Sequence, residues 1–298
     1  MKKSLISLTV LIVTCISFNS CLKDAKVADP GFDVNEVGVN STILLEVPLD
    51  IYLQADRAIR FQRDSIIAKN LNSTAPFSFK IGYISVIVSS SDTTTYPRSI
   101  ILDFGADILM PYQGRMTLFV DGNMRNNGSK CVISYTALST FGNAISGKDT
   151  IISLGINSSG SIVSHFKMHD GELKGYNDGI MTYSGNYFGK YNLKTNGNVI
   201  DSVEINATDV DMNVYKLHSA SSFKLQIDKG CNYFKSGAIN SDVTIKNSLA
   251  GTLLFDYGYS ALQNGTINAC DGDGVIYVTS KIKTDYSQQF GFNAKEFK

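Results

Sequence analysis

The chain has 298 residues, in which 27 Lys and Arg balance 27 Asp and Glu, with 43% hydrophobic residues, five Cys and no Trp. That length and hydrophobic share suffice for a large core and exclude a disordered or low-complexity chain. With zero net charge, no basic cluster and no Arg-rich face, the electrostatic footprint of a nucleic-acid binder is missing, so no nucleic acid is expected as a partner.

In chain order, the first twenty residues read as a secretory signal peptide. Met1-Lys2-Lys3 supplies the positive start, and Ser4 to Phe18 is an apolar run broken only by Ser, Thr and Cys. The run has about 15 residues against the roughly 20 needed to span a bilayer, so it reads as a removed leader and not a membrane helix. Losing Lys2 and Lys3 takes 27 basic residues to 25 against 27 acidic ones, a net of −2.

Phe18-Asn19-Ser20-Cys21 resembles the lipobox of bacterial lipoproteins, in which a small residue precedes the Cys that is acylated and becomes the first mature residue. The resemblance implies lipidation of Cys21, attachment to a membrane through that lipid, and the outer membrane as location, facing the periplasm or the cell surface. Several acyl chains, at about 0.8 kcal/mol per buried methylene, hold a protein stably on a bilayer. Cys15 leaves with the signal. An exported protein meets conditions that permit disulfides, so Cys231 and Cys270 are expected to pair and Cys131 to sit buried in the strand-like Lys130-Cys131-Val132-Ile133. No Cys-x-x-Cys occurs to suggest a redox or zinc site.

Residues 21 to 44 show neither helical nor strand periodicity and read as a tether. An amphipathic helix is expected over about 48–70. Pro48 stands in its first turn, Ile51, Ala55, Ala58, Ile59, Ile66 and Ile67 fall near one face, and Asp56, Arg57, Arg60, Arg63, Asp64 and Lys69 lie opposite. From Phe77 onward the chain consists of short alternating runs rich in Ile, Val, Thr, Tyr and Phe. The clearest are Tyr83 to Ser89, Ser99 to Phe104, Arg115 to Val120, Cys131 to Thr136, Thr150 to Ile156 and Ser161 to Met168. Similar runs continue through Val199 to Ala207 and Thr252 to Tyr257 to the C-terminal Gly274 to Ile282. Asp121-Gly122, Asn127-Gly128, Asn196-Gly197 and Asn264-Gly265 suit tight hairpins. The fold expected is all-β: an antiparallel meander forming a curved sheet, sandwich or partial barrel, with the helix packed on it.

Two strands end in Asp-aromatic-Gly, at Asp103-Phe104-Gly105 and Asp256-Tyr257-Gly258, which suggests a body of two similar halves or two similar strand ends. The first lies in Thr95-Tyr96-Pro97-Arg98-Ser99-Ile100-Ile101-Leu102-Asp103-Phe104-Gly105. With Gln113-Gly114-Arg115-Met116-Thr117-Leu118 and the late Leu253-Leu254-Phe255-Asp256-Tyr257-Gly258, it resembles a family of uncharacterised β-rich Bacteroidetes outer-membrane lipoproteins. The likeness runs from about Val47 onward and departs at Ala106 to Tyr112, where that pattern carries a Cys and an Asp-Gly-Arg turn. It implies a fold and a location but no catalytic residue.

No phosphate loop, nucleophile elbow or His-Glu-x-x-His occurs, and Asp103-Phe104-Gly105 stands without the rest of the kinase signature. His165 and His169 share a strand face but lie roughly 13 Å apart at the backbone, too far for one ion. Asp209-x-Asp211-x-Asn213 begins like an EF-hand loop, yet Val214 and Ala220 stand where Gly and Glu belong, and Asp271-Gly272-Asp273-Gly274 reads as a turn. No metal or cofactor is therefore expected. Tyr176, Tyr183, Tyr187, Phe188 and Tyr191 cluster around glycines, either as an exposed recognition surface or as alternating core residues. The function expected is a non-catalytic binding or structural module at the envelope, with an unknown envelope protein or surface ligand as its partner. The alternative is a carbohydrate-active hydrolase drawing its carboxylates from Asp170, Glu172, Asp178 and Glu204.

Overall fold

A computed structural model describes residues 31–140, 142–175, 179–220, 224–228, 234, 236–257, 273–283 and 287–293. Cys21, Tyr176, Asp178, Cys231 and Cys270 lie outside the described residues, as does the Asn264-Gly265 turn.

Among the described residues one helix, α1 (Val34–Ala68), precedes every strand. It begins fourteen residues before the expected start, inside the segment read as a tether. The side chain of Asp33 caps it, Oδ1 accepting from the amides of Asn35 at 2.9 Å and Glu36 at 3.1 Å. Gly38, Asn40, Ser41 and Thr42 are weak helix formers, which hides the first half from propensity, but burial overrides them. Leu44, Leu45, Glu46, Val47, Pro48, Leu49, Ile51 and Tyr52 are all buried, so the middle of α1 is enclosed on every side and not along a single stripe. Each fully buried Leu or Ile there contributes about 1.5–3 kcal/mol. Only the last turns follow the expected pattern, burying Ala55, Ala58, Gln62 and Ile66 at helical spacing, while Ile67 is exposed. Pro48 lies inside the helix and not at its start. It has no N–H to offer the Leu44 carbonyl, and the next carbonyl, of Leu45, accepts from the Tyr187 hydroxyl at 3.3 Å.

The strands are β1 (Phe77–Ile81), β2 (Ile84–Val88), β3 (Arg98–Gly105), β4 (Tyr112–Val120), β5 (Lys130–Thr140), β6 (Asn143–Ile156), β7 (Ser161–Lys174), β8 (Ile180–Asn192), β9 (Asn198–Thr208), β10 (Val214–Ser219), β11 (Leu225–Ile227), β12 (Gly237–Ile245), β13 (Ser248–Tyr257), β14 (Asp273–Ser280) and β15 (Ser287–Asn293). Fourteen of them form one antiparallel meander in chain order, and β11 pairs beside β9 off that path. The sheet stays open, with β1 and β15 at its ends. Asp103-Phe104-Gly105 closes β3 and Asp256-Tyr257 closes β13, both in this single continuous sheet.

The sheet curls round α1, because side chains far apart along the meander reach the same helix. Arg98 on β3 donates to Gln62 at 2.8 Å, Tyr52 bonds Ser164 on β7 at 2.7 Å, Asn40 donates to Tyr215 on β10 at 3.0 Å, and Tyr257 on β13 donates to Glu46 at 2.8 Å. Two strands bend with an extra residue in left-handed backbone, Ala137 on β5 (φ 49°) and Asp170 on β7 (φ 50°). Inward positions on β5 change from odd (Cys131, Ile133) to even (Leu138, Thr140), and on β7 from even (Phe166, Met168) to odd (Gly171, Leu173). Each bulge lies over a glycine of the preceding strand, Gly114 and Gly147 respectively. A Cβ on Gly114 would stand 2.1 Å from the Ala137 carbonyl oxygen.

Candidate functional site

The aromatic cluster divides by strand parity. Tyr183, Tyr187 and Tyr191 occupy alternate inward positions of β8 and are buried, whereas Phe188 faces outward and stacks on His165 with ring centroids 4.1 Å apart. Tyr183, Tyr187, Phe188 and Tyr191 therefore do not form the exposed recognition face that was one of their two readings. Tyr191 borders a recess.

That recess is a cleft of about 240 Å³ where the last turns of α1 meet the loops after β2, β4 and β8. Its apolar lining comes from Ile59, Met124, Ile162 and Leu193, and two aromatic walls from Tyr96 and Tyr191. An arginine lies on each wall. The Arg60 guanidinium stands 3.5 Å from the centre of the Tyr191 ring, and Arg98 lies 4.5 Å from that of Tyr96. Both are held from behind. Arg60 pairs with Asp56 at 2.8 Å; burial is the largest influence and works against its charge, but Asp56, Tyr191 and Tyr52 together outweigh it and raise its pKa. Arg98, fully buried, donates to the Thr95 carbonyl from Nε and Nη2 and to Gln62 from Nη1, with Asp92 3.8 Å away. The Tyr191 hydroxyl donates to Asn196 at 2.6 Å, which fixes the loop after β8.

Arg63 and Arg125 also line the cleft and are half-buried. Neither guanidinium has an ion pair or hydrogen bond among the described residues. The one carboxylate in the lining is Asp64. Arg63 points there because the helical spacing Ala58, Gln62, Ile66 buries the neighbouring face, and Arg125 because Asn123 turns its loop by accepting the Arg125 amide at 3.0 Å. The result is a small recess with two aromatic walls and two unpaired cations. That is a chemistry for binding an anion with an apolar or planar portion.

Of the carboxylates considered for a hydrolase, the three among the described residues lie away from the cleft. Asp170 is exposed at the β7 bulge, Glu172 follows it on β7, Glu204 is exposed on β9, and none lines the cleft. His169 is exposed and His165 is occupied by Phe188 and Asn186. Among the described residues no group of three or more His, Cys, Asp and Glu is placed to hold a metal ion. Asp209 spends its oxygens inside its own turn, accepting from the Asp211 and Asn213 amides, the Asn213 side chain and the Tyr215 hydroxyl. Asp103 does likewise at its strand end, with Gly105 and Arg115. Cys131 is a buried free thiol, whose pKa burial pushes well above the ordinary range. No helix among the described residues is long and apolar enough to cross a membrane.

No family model, curated protein or solved structure matches this chain.

Proposed function

We propose that this protein is a non-catalytic binding module of a bacterial cell envelope, held on the outer membrane through lipidated Cys21, which takes a small anionic ligand in the cleft between α1 and the loops after β2, β4 and β8. The observation that carries the binding reading is the pair of unpartnered guanidiniums, Arg63 and Arg125, facing one recess between Tyr96 and Tyr191. A half-buried guanidinium without a protein partner keeps its N–H donors free for a planar anion, and Asp64 alone cannot match both. The lipobox-like Phe18-Asn19-Ser20-Cys21 and the resemblance to Bacteroidetes outer-membrane lipoproteins support the anchor. A lining with a single carboxylate favours binding over glycoside hydrolysis, which needs two.

Titration calorimetry with inorganic phosphate and with succinate tests the cleft. Binding is expected for at least one of them, weakening on the order of 10- to 100-fold in the Arg63→Ala/Arg125→Ala double variant, as for the loss of charge-assisted hydrogen bonds worth about 1.5–3 kcal/mol. Heat signals that are absent for both anions, or unchanged in the double variant, would sink the reading. The anchor is read separately, from the mass of the N-terminal peptide of membrane-fraction protein.

A further inference from the structure

The four most exposed large apolar side chains among the described residues are Leu109 (85%), Ile108 (81%), Met212 (74%) and Val210 (64%). The next, Ile67, is at 53%. All four sit at hairpin tips, Ile108 and Leu109 between β3 and β4, Val210 and Met212 between β9 and β10. In a meander every second connection falls on the same edge, so both tips belong to one rim of the sheet. The cleft belongs to the other, with the turns after β2, β4 and β8.

The chain enters the body at the apolar rim. A Cβ on Gly31 would lie 2.8 Å from Ile282, a half-exposed residue just beyond β14 on that edge. The first turns of α1 adjoin the tip that carries Val210 and Met212. Asn40 donates to the Tyr215 hydroxyl, which donates in turn to Asp209, and the Glu36 carboxyl is raised by burial and then by Asp33, Asp209 and Asp211. From Cys21 to Gly31 is ten residues, at most about 35 Å of extended chain. A lipid on Cys21 is therefore tethered to the body at this rim, on the edge opposite the cleft, with no more than that length between them. Charges on the rim are of both signs, Asp107 and Asp211 among Lys246, Lys281 and Lys283, so nothing there selects a purely electrostatic partner.

We propose that this rim docks on the membrane, Ile108, Leu109, Val210 and Met212 entering the boundary between headgroups and acyl chains, with the cleft held facing away. The proposal rests on the reading of Cys21 as the anchor for its choice of a lipid surface as occupant. Apolar side chains presented on an interfacial element bury about 5–10 Å into that boundary.

The chain has no Trp, so a single introduced Trp reports one position. Leu109→Trp, Met212→Trp and, on the opposite rim, Ser159→Trp are made in the chain from Cys21 onward with a hexahistidine tag ahead of it. The protein is then held on phosphatidylcholine vesicles that contain nickel-chelating lipid and acyl-chain bromine quenchers. Emission at 109 and 212 is expected to fall on the order of two-fold, as quenchers at this depth demand, while that at 159 stays constant. Emission at 109 and 212 that follows position 159 overturns the proposal and leaves a protein partner as the occupant of the rim. Because the tag replaces the lipid, the result does not depend on acylation of Cys21, so failure of the anchor and failure of the rim are told apart.

Discussion

Asp149 is fully buried between β5 and β7, where its Oδ2 accepts from the Tyr135 hydroxyl and its Oδ1 has no hydrogen-bond partner. The Tyr183 hydroxyl nearby is buried and equally unpartnered. Burial pushes the Asp149 carboxyl from its ordinary 3.8 up to about 6, against the opposing pull of the Tyr135 hydroxyl and the His169 amide. Since the folded state holds this proton more tightly, its contribution to stability is fully present below about pH 4 and is lost as the pH rises through about 6. Asp149→Asn removes the buried charge and offers Tyr183 a donor. It should stabilise the protein by about 2–3 kcal/mol at pH 8, at about 1.4 kcal/mol for each pKa unit, and by little at pH 4. Equal gains in denaturant midpoint at the two pH values would refute this account. Asp92 has the opposite sign. The Ser90 hydroxyl and then Thr95 hold its carboxyl well below the usual range, so its contribution is present above about pH 4 and lost in acid. Asp92→Asn leaves the buried Arg98 without its nearby charge and is expected to cost about 3 kcal/mol at pH 7, read from the same denaturation curves.

At the scale of elements, alternation in the sequence located the strands well and their phases less well. The runs from Tyr83 to Ser89 and from Ser99 to Phe104 match β2 and β3 within a residue or two. The short β1, β10 and β15 were not singled out, β6 starts seven residues before its expected run, and β5 and β7 run on past their expected ends. Their alternation is interrupted where Ala137 and Asp170 add a residue, and the pattern beyond such a bulge reads as noise unless the phase change is recognised. The early start of α1 did have a signal, Asp33 followed three residues later by Glu36, but Gly38 and the polar run after it argued for a tether. The cleft was less legible still. Arg63 was visible only as part of a charged helix face, and Arg125 and Tyr96 reach it through loops whose meeting depends on the whole curl of the sheet. The glycines beneath the bulges bear a direct check. Gly114 combines φ 85° with a backbone oxygen where its Cβ would stand. Gly114→Ala should therefore cost about 3 kcal/mol or more, from left-handed strain plus a forced shift of β5. A midpoint within experimental error of the parent would show that the bulge is adaptable.

On the scale of the whole molecule, one helix serves as the core around which a single open sheet closes, and the two rims of that sheet differ. One bears the exposed apolar tips and the entry of the chain; the other bears the arginine-lined cleft. The helix is also the first element among the described residues, although its enclosure is completed by some of the last. Tyr257 reaches Glu46 across 211 residues, and Ser241 meets Ser41 across 200. During synthesis from the N-terminus, α1 emerges with Leu44, Leu45, Leu49 and Ile51 bare, and although β3, β7 and β8 reach it earlier its enclosure is complete only when β12 and β13 follow. For much of its production the chain thus presents a partly uncovered apolar segment, which makes slow folding an outcome of element order.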